Sequence, residues 1–478
     1  MMDTNLKDYK IAQFGTGVLL RGLIDYIFQK GIDSKRLSAE ISMIKSTSSD
    51  TALFTKHNCN YIVVESGIDD HKNNLTHYLS INCITEIISA GNEWQKLESL
   101  FKSDQLKLVV SNVTEAGLIY QLSENEQIPT TYPAKLTRLL YTRFEHFKGD
   151  QDRGIIIVPT ELLVNNGSLL KSFVIKHAED FKYGTDFLHW LNTACIFCNS
   201  LVDRIVPGKW VPKSGDEVPE GINELTVATE LFYLWAIEGG EKVMDFFSFK
   251  SVVPGLVVTE NIEAFREQKL RLLNGCHTLL SPIAYGLGCK TVEEMMNSPL
   301  IIPFFEQLCE REILPSLKKI SPDARSFYKE MKNRWLNPFI RHELKSILSQ
   351  TVLKMQTRNG ETINRFYAEF DYLPPFLTFG FSIFIWVYRP NMKHENIFST
   401  LDFNQQEFEF NDQKAALLFE HWEDKTSHTI DIISSLLADT RIFDHSFVAL
   451  PGFKQTVLHH VSDLESQGLK TCIVNFLN

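Results

Sequence analysis

Two patterns of apolar residues run along this chain, and they divide it near residue 260. In the first part, short apolar runs alternate with stretches of helical spacing. KIAQF (10–14) reads as a strand that ends in the turn Gly15-Thr16-Gly17. Residues 18–30 then place Leu19, Leu20, Leu23, Ile24 and Ile27 on one side of a helix. Further strands are predicted at 41–45, at 106–112 (LKLVVSN) and at 154–159 (GIIIVP), with helices at 92–101 and 132–147. YIVVE (61–65) and residues 77–88 read as a strand pair inserted before the next crossover. Short, fully apolar strands separated by helices predict a parallel sheet covered on both faces. After residue 260 the strand runs fade, and helical patterns are predicted at 263–286, 303–312, 323–333, 337–357, 374–388, 412–438 and 453–468. The expected organisation is therefore an α/β domain over 1–260 and a mostly α-helical domain over 261–478. Chemistry is expected in a cleft between them.

The first of these later helices carries a lysine among leucines, in EQKLRLLNGCHTLL (267–280). At roughly 100° per residue, Leu273 falls about 40° and His277 about 80° from Lys269, with Cys276 and Leu272 on its other flank. Asn274 lies at the edge of this stripe, while Arg271, Gly275 and Thr278 take the remaining face. Such a lysine either snorkels to water or is buried. Burial would disfavour its charged form and make it a better base at neutral pH. On the helix alone both readings stand, as does a hydrogen-bonded core role for His277.

Composition narrows the function classes. The chain has 478 residues, 44% of them hydrophobic, and a formal net charge of −11. That balance argues against nucleic acid or an anionic membrane as the main partner. The longest apolar run, PPFLTFGFSIFIWVY (374–388), falls short of the ~20 residues of a membrane span and begins with two prolines, so a buried helix is expected. No basic segment followed by an apolar run opens the sequence, and the eight cysteines show no framework of spacings. Free thiols in a reducing cytoplasm are expected. Cys195 and Cys198 form a CxxC, but no second pair or His partner stands near to complete a zinc set. No metal site is expected.

The turn after the first strand carries the next clue. IAQFGTGVLLRG sets strand, glycine turn and helix in the order of a dinucleotide-binding fold: Gly15 permits a tight turn and Gly17 lets a pyrophosphate approach the helix N-terminus. The third glycine is late, at Gly22. The second strand ends in Lys45-Ser-Thr-Ser-Ser-Asp50 rather than in the acidic residue that would hold an adenosine ribose. This favours NAD less sharply and leaves NADP open.

Four stretches together resemble the mannitol dehydrogenase family of long-chain polyol and sugar-acid dehydrogenases: FGTGVLLRG (14–22), SNVTEAG (111–117), NSLVDRIVPG (199–208) and KLRLLNGCH (269–277). PAKLTRLLYTRF (133–144), ELLVNNG (161–167) and NPFIRHEL (337–344) match more weakly. The resemblance implies a Rossmann-like N-terminal domain with inserted strands, a helical C-terminal domain, and metal-independent hydride transfer with NAD(H). It assigns cofactor contacts to Phe14, Gly15, Thr16, Gly17, Val18, Leu19, Arg21, Asn112 and Thr114. It makes Lys269 the general acid/base, with Asn274 and His277 binding the reacting oxygen. The Thr-Glu-Ala-Gly form resembles the branch that interconverts D-altronate and D-tagaturonate. A sugar-acid carboxylate requires cations; Arg341, Lys354 and Arg358, with His342 and Asn166, are the substrate-binding candidates. Two departures stand out. Leu162 replaces an amide that some relatives use as a second oxyanion donor. Arg266 occupies the place of a proton-relay glutamate, next to Glu267. Sister activities on fructuronate or mannitol, and a noncatalytic dinucleotide-binding sensor, are the alternatives.

Overall fold

A computed structural model describes residues 8–46, 50–69, 71–113, 117–122, 128–212, 218–321, 323–390, 392–395, 397–401, 407–423 and 427–478. The chain divides into two compact units between residues 262 and 263.

The first unit is built on a six-stranded parallel sheet. Its strands are β1 (Asp8–Phe14), β2 (Ser38–Lys45), β3 (Ile84–Ser89), β4 (Leu106–Ser111), β5 (Ile156–Pro159) and β6 (Ile196–Phe197). Their spatial order is β3-β2-β1-β4-β5-β6, the doubly wound order of dinucleotide-binding folds. Ile11 pairs with Ile41 of β2 and with Leu108 of β4. Alternate residues feed two cores. Ile11, Met43, Leu108 and Val110 pack with Leu23 and Ile27 on one face, whereas Ala12, Phe14, Ile44 and Val109 pack with Leu97, Leu136 and Leu140 on the other. A sheet buried on both faces needs apolar residues at every position, which explains the unbroken runs in the sequence.

The predicted inserted pair needs a correction. The insertion is the antiparallel hairpin Tyr61–Ile68 with Asn74–Ile81, and it continues into the short strands Val227–Thr229 and Gly208–Lys209. Ile84–Ser89 is not part of it, because it pairs in parallel with β2. Only two residues separate it from the hairpin, so the two strands read as one segment.

The second unit is mainly helical. Its first helix spans 263–286 as predicted, but its middle, Gln268–Gly275, is a π-helix. Two further π segments lie at Cys309–Ile313 and Met355–Gly360. The apolar run forms the helix Pro375–Val387, buried from Phe376 to Trp386. Among the described residues no helix is long and apolar enough to cross a membrane. The predicted helix at 337–357 is broken. Pro338 disfavours helical backbone at Asn337, and 342–344 pairs instead with 290–292: Val292 N donates to His342 O at 3.0 Å and Leu344 N to Lys290 O at 2.9 Å. Helix resumes at Leu344–Ile347 and Thr351–Lys354. The stretch 412–438 holds two helices, Ala415–Trp422 and Thr429–Ala438. A small antiparallel sheet of Met392–His394, Ile397–Leu401 and Glu407–Glu409 was not predicted.

Candidate active site

In the first unit the glycine turn lies at the C-terminal end of β1, where the strand order reverses between β1 and β4. Gly15 has φ +124°, and a Cβ there would stand 2.7 Å from the carbonyl oxygen of Asn112. Only glycine fits this place. Gly17 is exposed, directly before the first helical residues Val18 and Leu19, and a Cβ added there would meet nothing within 4 Å. Free space over a helix N-terminus, with its unpaired amides, suits a pyrophosphate. Thr16, Val18 and Leu19 are half-buried around this space, and Phe14 is buried beneath it against Tyr132, at a ring separation of 4.9 Å. Gly22 serves close packing, since a Cβ there would lie 2.9 Å from Thr229 Cγ2.

Asn112 adjoins this turn from β4. Its backbone N–H donates to Phe14 O at 2.9 Å, and its side-chain amide donates to Thr160 O at 3.0 Å and Thr160 Oγ1 at 3.1 Å. Buried Glu161, which the sequence did not single out, pins the same loop by accepting from Val113 N at 2.9 Å and Ser111 Oγ at 3.2 Å. No spacing in the sequence signals that role. Thr114 lies outside the described residues.

Two predicted contacts are otherwise engaged in this unit. Arg21 donates to Leu225 O and lies between the rings of Phe54 and Tyr61. Asn166 is 1% exposed, and its amide is consumed by the fold: Nδ2 donates to Pro159 O, Glu161 O and Ser200 O, while Oδ1 accepts from Gly167 N and Ser200 N, all at 2.9–3.1 Å. It joins the end of β5 to the strand Ser200–Asp203 and has no capacity left for a substrate. Arg204 of the VDRI stretch pairs at 2.5 Å with Glu65, not with its neighbour Asp203.

In the second unit, the π segment decides which side chains of the 263–286 helix share a face. A π-turn closes over five residues instead of four, which brings Lys269 and Asn274 nearer to one face than the about 140° that separates them on an α-helix. Both are half-buried. The face opposite the leucine stripe in the α-helical wheel is buried too: Arg271 is 5% and Thr278 1% exposed. Arg271 donates to Thr357 O at 2.9 Å and Arg358 O at 2.7 Å, tying this π segment to Met355–Gly360. Glu267 is 3% exposed and committed to Arg271, at 3.1 Å, and to Arg365. Its carboxylate is part of a structural network with these two arginines. Arg266 pairs with Glu263 at 3.0 Å.

Around His277 the structure gathers an imidazole and a set of cations. His277 is buried, stacks on Trp335 at 4.2 Å and meets His342 edge-on at 5.2 Å. Its Nε2 has no partner among the described residues. Burial, reinforced by His342, Arg334, Arg358 and Lys354, holds its pKa well below the ordinary value, so it is neutral at neutral pH. Arg358 donates to Thr278 Oγ1 at 3.0 Å and to Asn274 O at 3.4 Å; burial pushes it down to about 10. Lys354 donates to Ile347 O at 3.1 Å, and its pKa is lowered by burial and by Arg358. His342 is lowered by burial. Arg341 is not brought here: its side chain is 76% exposed and paired with Glu343. Thr278 and Trp335 are additions that no motif spacing indicated. Among the described residues no cluster of three His, Cys, Asp or Glu could hold a metal ion.

Comparison with known proteins matches residues 9–245 to the mannitol dehydrogenase Rossmann domain and residues 261–464 to the mannitol dehydrogenase C-terminal domain. The altronate oxidoreductase of Bacillus subtilis is 30% identical over 475 residues, covering 98% of this chain and 95% of that one. That of Cronobacter sakazakii is 30% identical over 479 residues, covering 97% and 96%. Among solved structures, Pseudomonas fluorescens mannitol 2-dehydrogenase in a ternary complex with NAD and D-mannitol has a TM-score of 0.69 at 20% identity, across 99% of this chain and 95% of that one. A D-sorbitol dehydrogenase in substrate-free form has a TM-score of 0.79 at 16% identity, across 98% and 96%. At these identities the structural likeness shows a common fold.

Proposed function

The chain belongs to the mannitol dehydrogenase family, and we propose that it is an NAD-dependent oxidoreductase interconverting D-altronate and D-tagaturonate. The observation that carries this reading is the placing of Lys354 and Arg358 around neutral, unpartnered His277 on the Lys269 helix. A neutral polyol needs no such cations, whereas a sugar acid brings a carboxylate that does. The near-full-length likeness to altronate oxidoreductases supports the same substrate.

NAD, when bound, accepts or supplies the hydride. The glycine turn 15–17 and the N-terminal amides of the following helix would hold its pyrophosphate, with Asn112 closing the turn. In oxidation, Lys269 takes the proton of the reacting hydroxyl; in reduction it returns one to the carbonyl oxygen. The Asn274 amide and neutral His277 donate hydrogen bonds to that oxygen and stabilise negative charge as it develops. Neutral His277 has one N–H to give and does not compete with Lys269 as the acid. Arg358 uses one nitrogen on Thr278 and Asn274, which leaves Nε and the other terminal nitrogen for a carboxylate. Lys354 adds a second positive charge.

The test is NADH oxidation with D-tagaturonate, D-fructuronate and D-fructose, on wild type and on Lys269→Ala. We expect turnover with tagaturonate far above the other two, and a loss in the substituted protein of at least ~10²-fold, the scale of general acid–base catalysis. Preference for fructuronate or fructose would move the chain to a sister activity. Tight NADH binding without turnover of any of the three would make it a noncatalytic binder.

A further inference from the structure

Trp335 carries an inference about how the reacting oxygen's donor is aimed. The Nε2 of His277 has no hydrogen-bond partner among the described residues, although the side chain is only 7% exposed. Most buried histidines are fixed through a ring nitrogen. Here Nε2 fixes nothing, and the ring meets its neighbours by face and edge. Trp335 covers one face at 4.2 Å with an interplanar angle of 17°, and His342 approaches edge-on at 82°. Trp335 closes the helix Ala324–Trp335 and is 2% exposed. Its own Nε1 has no partner among the described residues, and Phe305 backs it at 5.3 Å. The indole is therefore a plate, set by packing, against which the imidazole lies flat.

We propose that Trp335 is a positioning residue: its ring fixes the plane of His277, directs the unpartnered Nε2 toward the substrate oxygen, and keeps water from the imidazole. The inference rests on the role given to His277 above. It has a consequence for titration that simple core packing would not have. Among the described residues, the groups that act most on His277 are cationic or neutral: His342 from the 337–343 segment, Arg334 from the Trp335 helix, and Lys354 and Arg358 from the 351–360 segment. Burial is the largest cause of its low pKa, and these charges reinforce it. Opening the covered face to water removes much of the burial and lets His277 titrate closer to the ordinary value of about 6.5.

Two substitutions separate aiming from filling. Trp335→Phe keeps an aromatic face. Trp335→Leu keeps an apolar side chain but no plate. Both are read in the full-length protein by NMR titration of the His277 ring, assigned with His277→Gln, and by steady-state kinetics with D-tagaturonate. In wild type and Trp335→Phe, His277 is expected to stay neutral well below the ordinary histidine value of about 6.5. In Trp335→Leu its resonance should titrate closer to that ordinary value, kcat should fall ~10- to 100-fold, the scale of a misplaced catalytic group, and KM should change less. The kcat profile of that variant should gain a matching acid limb. A Leu variant that folds with His277 untitrated and kcat near wild type overturns the proposal. So does a Phe variant as impaired as the Leu variant. Because the titration needs no substrate, it stands apart from the substrate assignment: wild type inactive on tagaturonate would sink that assignment while the NMR result still judged the positioning role.

Discussion

Arg358 has few acceptors for a guanidinium drawn out of water. The Thr278 hydroxyl and the Asn274 carbonyl both engage the same terminal nitrogen. Burial pushes the side chain down to about 10, still charged at neutral pH. A charge held this way, beside Lys354 and facing neutral His277, gains most when an anion arrives. Replacing Arg358 with Ala should therefore raise the KM for tagaturonate by ~10- to 100-fold, the equivalent of one charge-assisted hydrogen bond at ~1.5–3 kcal/mol. The Kd for NADH should stay unchanged, and Arg358→Lys should recover only part of the loss, because the planar fork is absent. Equal losses in NADH and tagaturonate binding would remove Arg358 from carboxylate recognition. Arg341 has the same chemistry and lies in one of the motif stretches, yet it is 76% exposed and paired with Glu343. Residue type nominated both arginines; only the break in the chain before Leu344, where 342–344 pairs with 290–292, separates them.

At the scale of elements, hydrophobic period located the 263–286 helix correctly but did not show that its second face is buried as well. The 100° wheel set Arg271, Gly275 and Thr278 on the face away from the leucine stripe, and all three are buried. Nothing in the composition of QKLRLLNG announces a π-turn; the facing π segment Met355–Gly360 and Arg271 between them hold it in place. The same limit applies to Glu312, which sits in the third π segment, Cys309–Ile313. Its two carboxylate oxygens accept from Phe376 N at 2.6 Å and Leu377 N at 2.8 Å, at the start of the buried helix Pro375–Val387. Burial pushes its carboxyl up to about 8 while the two amides oppose the shift. Those amides have no water to turn to. Glu312→Ala should destabilise the second unit by ~1–3 kcal/mol, the cost of leaving buried donors unpaired. The measurement is the urea midpoint of that unit's transition, and Glu312→Gln, which keeps one strong acceptor, should fall between the two. A midpoint unchanged in Glu312→Ala would mean that other acceptors replace the carboxylate.

For the molecule as a whole, the two-part architecture was readable because parallel strands buried on both faces must be continuously apolar, while amphipathic helices must not. The polar groups inside the first core were not readable in that way. Asp25 is 0% exposed, and its Oδ2 accepts from Tyr61 O–H at 2.6 Å. Its Oδ1 is unpartnered, as are both amide atoms of buried Gln13 nearby. Burial pushes the carboxyl up to about 7, against the Tyr61 hydrogen bond, Gln13 and Arg21. The sign of the effect follows. Below an unfolded pKa of about 4, both states are protonated and Asp25 costs nothing. Between that value and the folded value near 7, the unfolded chain gives up its proton first, so stability falls as pH rises, by up to ~4 kcal/mol at about 1.4 kcal/mol per unit. Asp25→Asn preserves an acceptor for Tyr61 and offers N–H donors to the Gln13 carbonyl, with no charge to bury. It should raise the thermal midpoint of the first unit at pH 8 and have little effect at pH 4. A shift of equal size at both pH values would show that the substitution acts through packing, and that the Asp25 carboxyl does not set how this half of the molecule responds to pH.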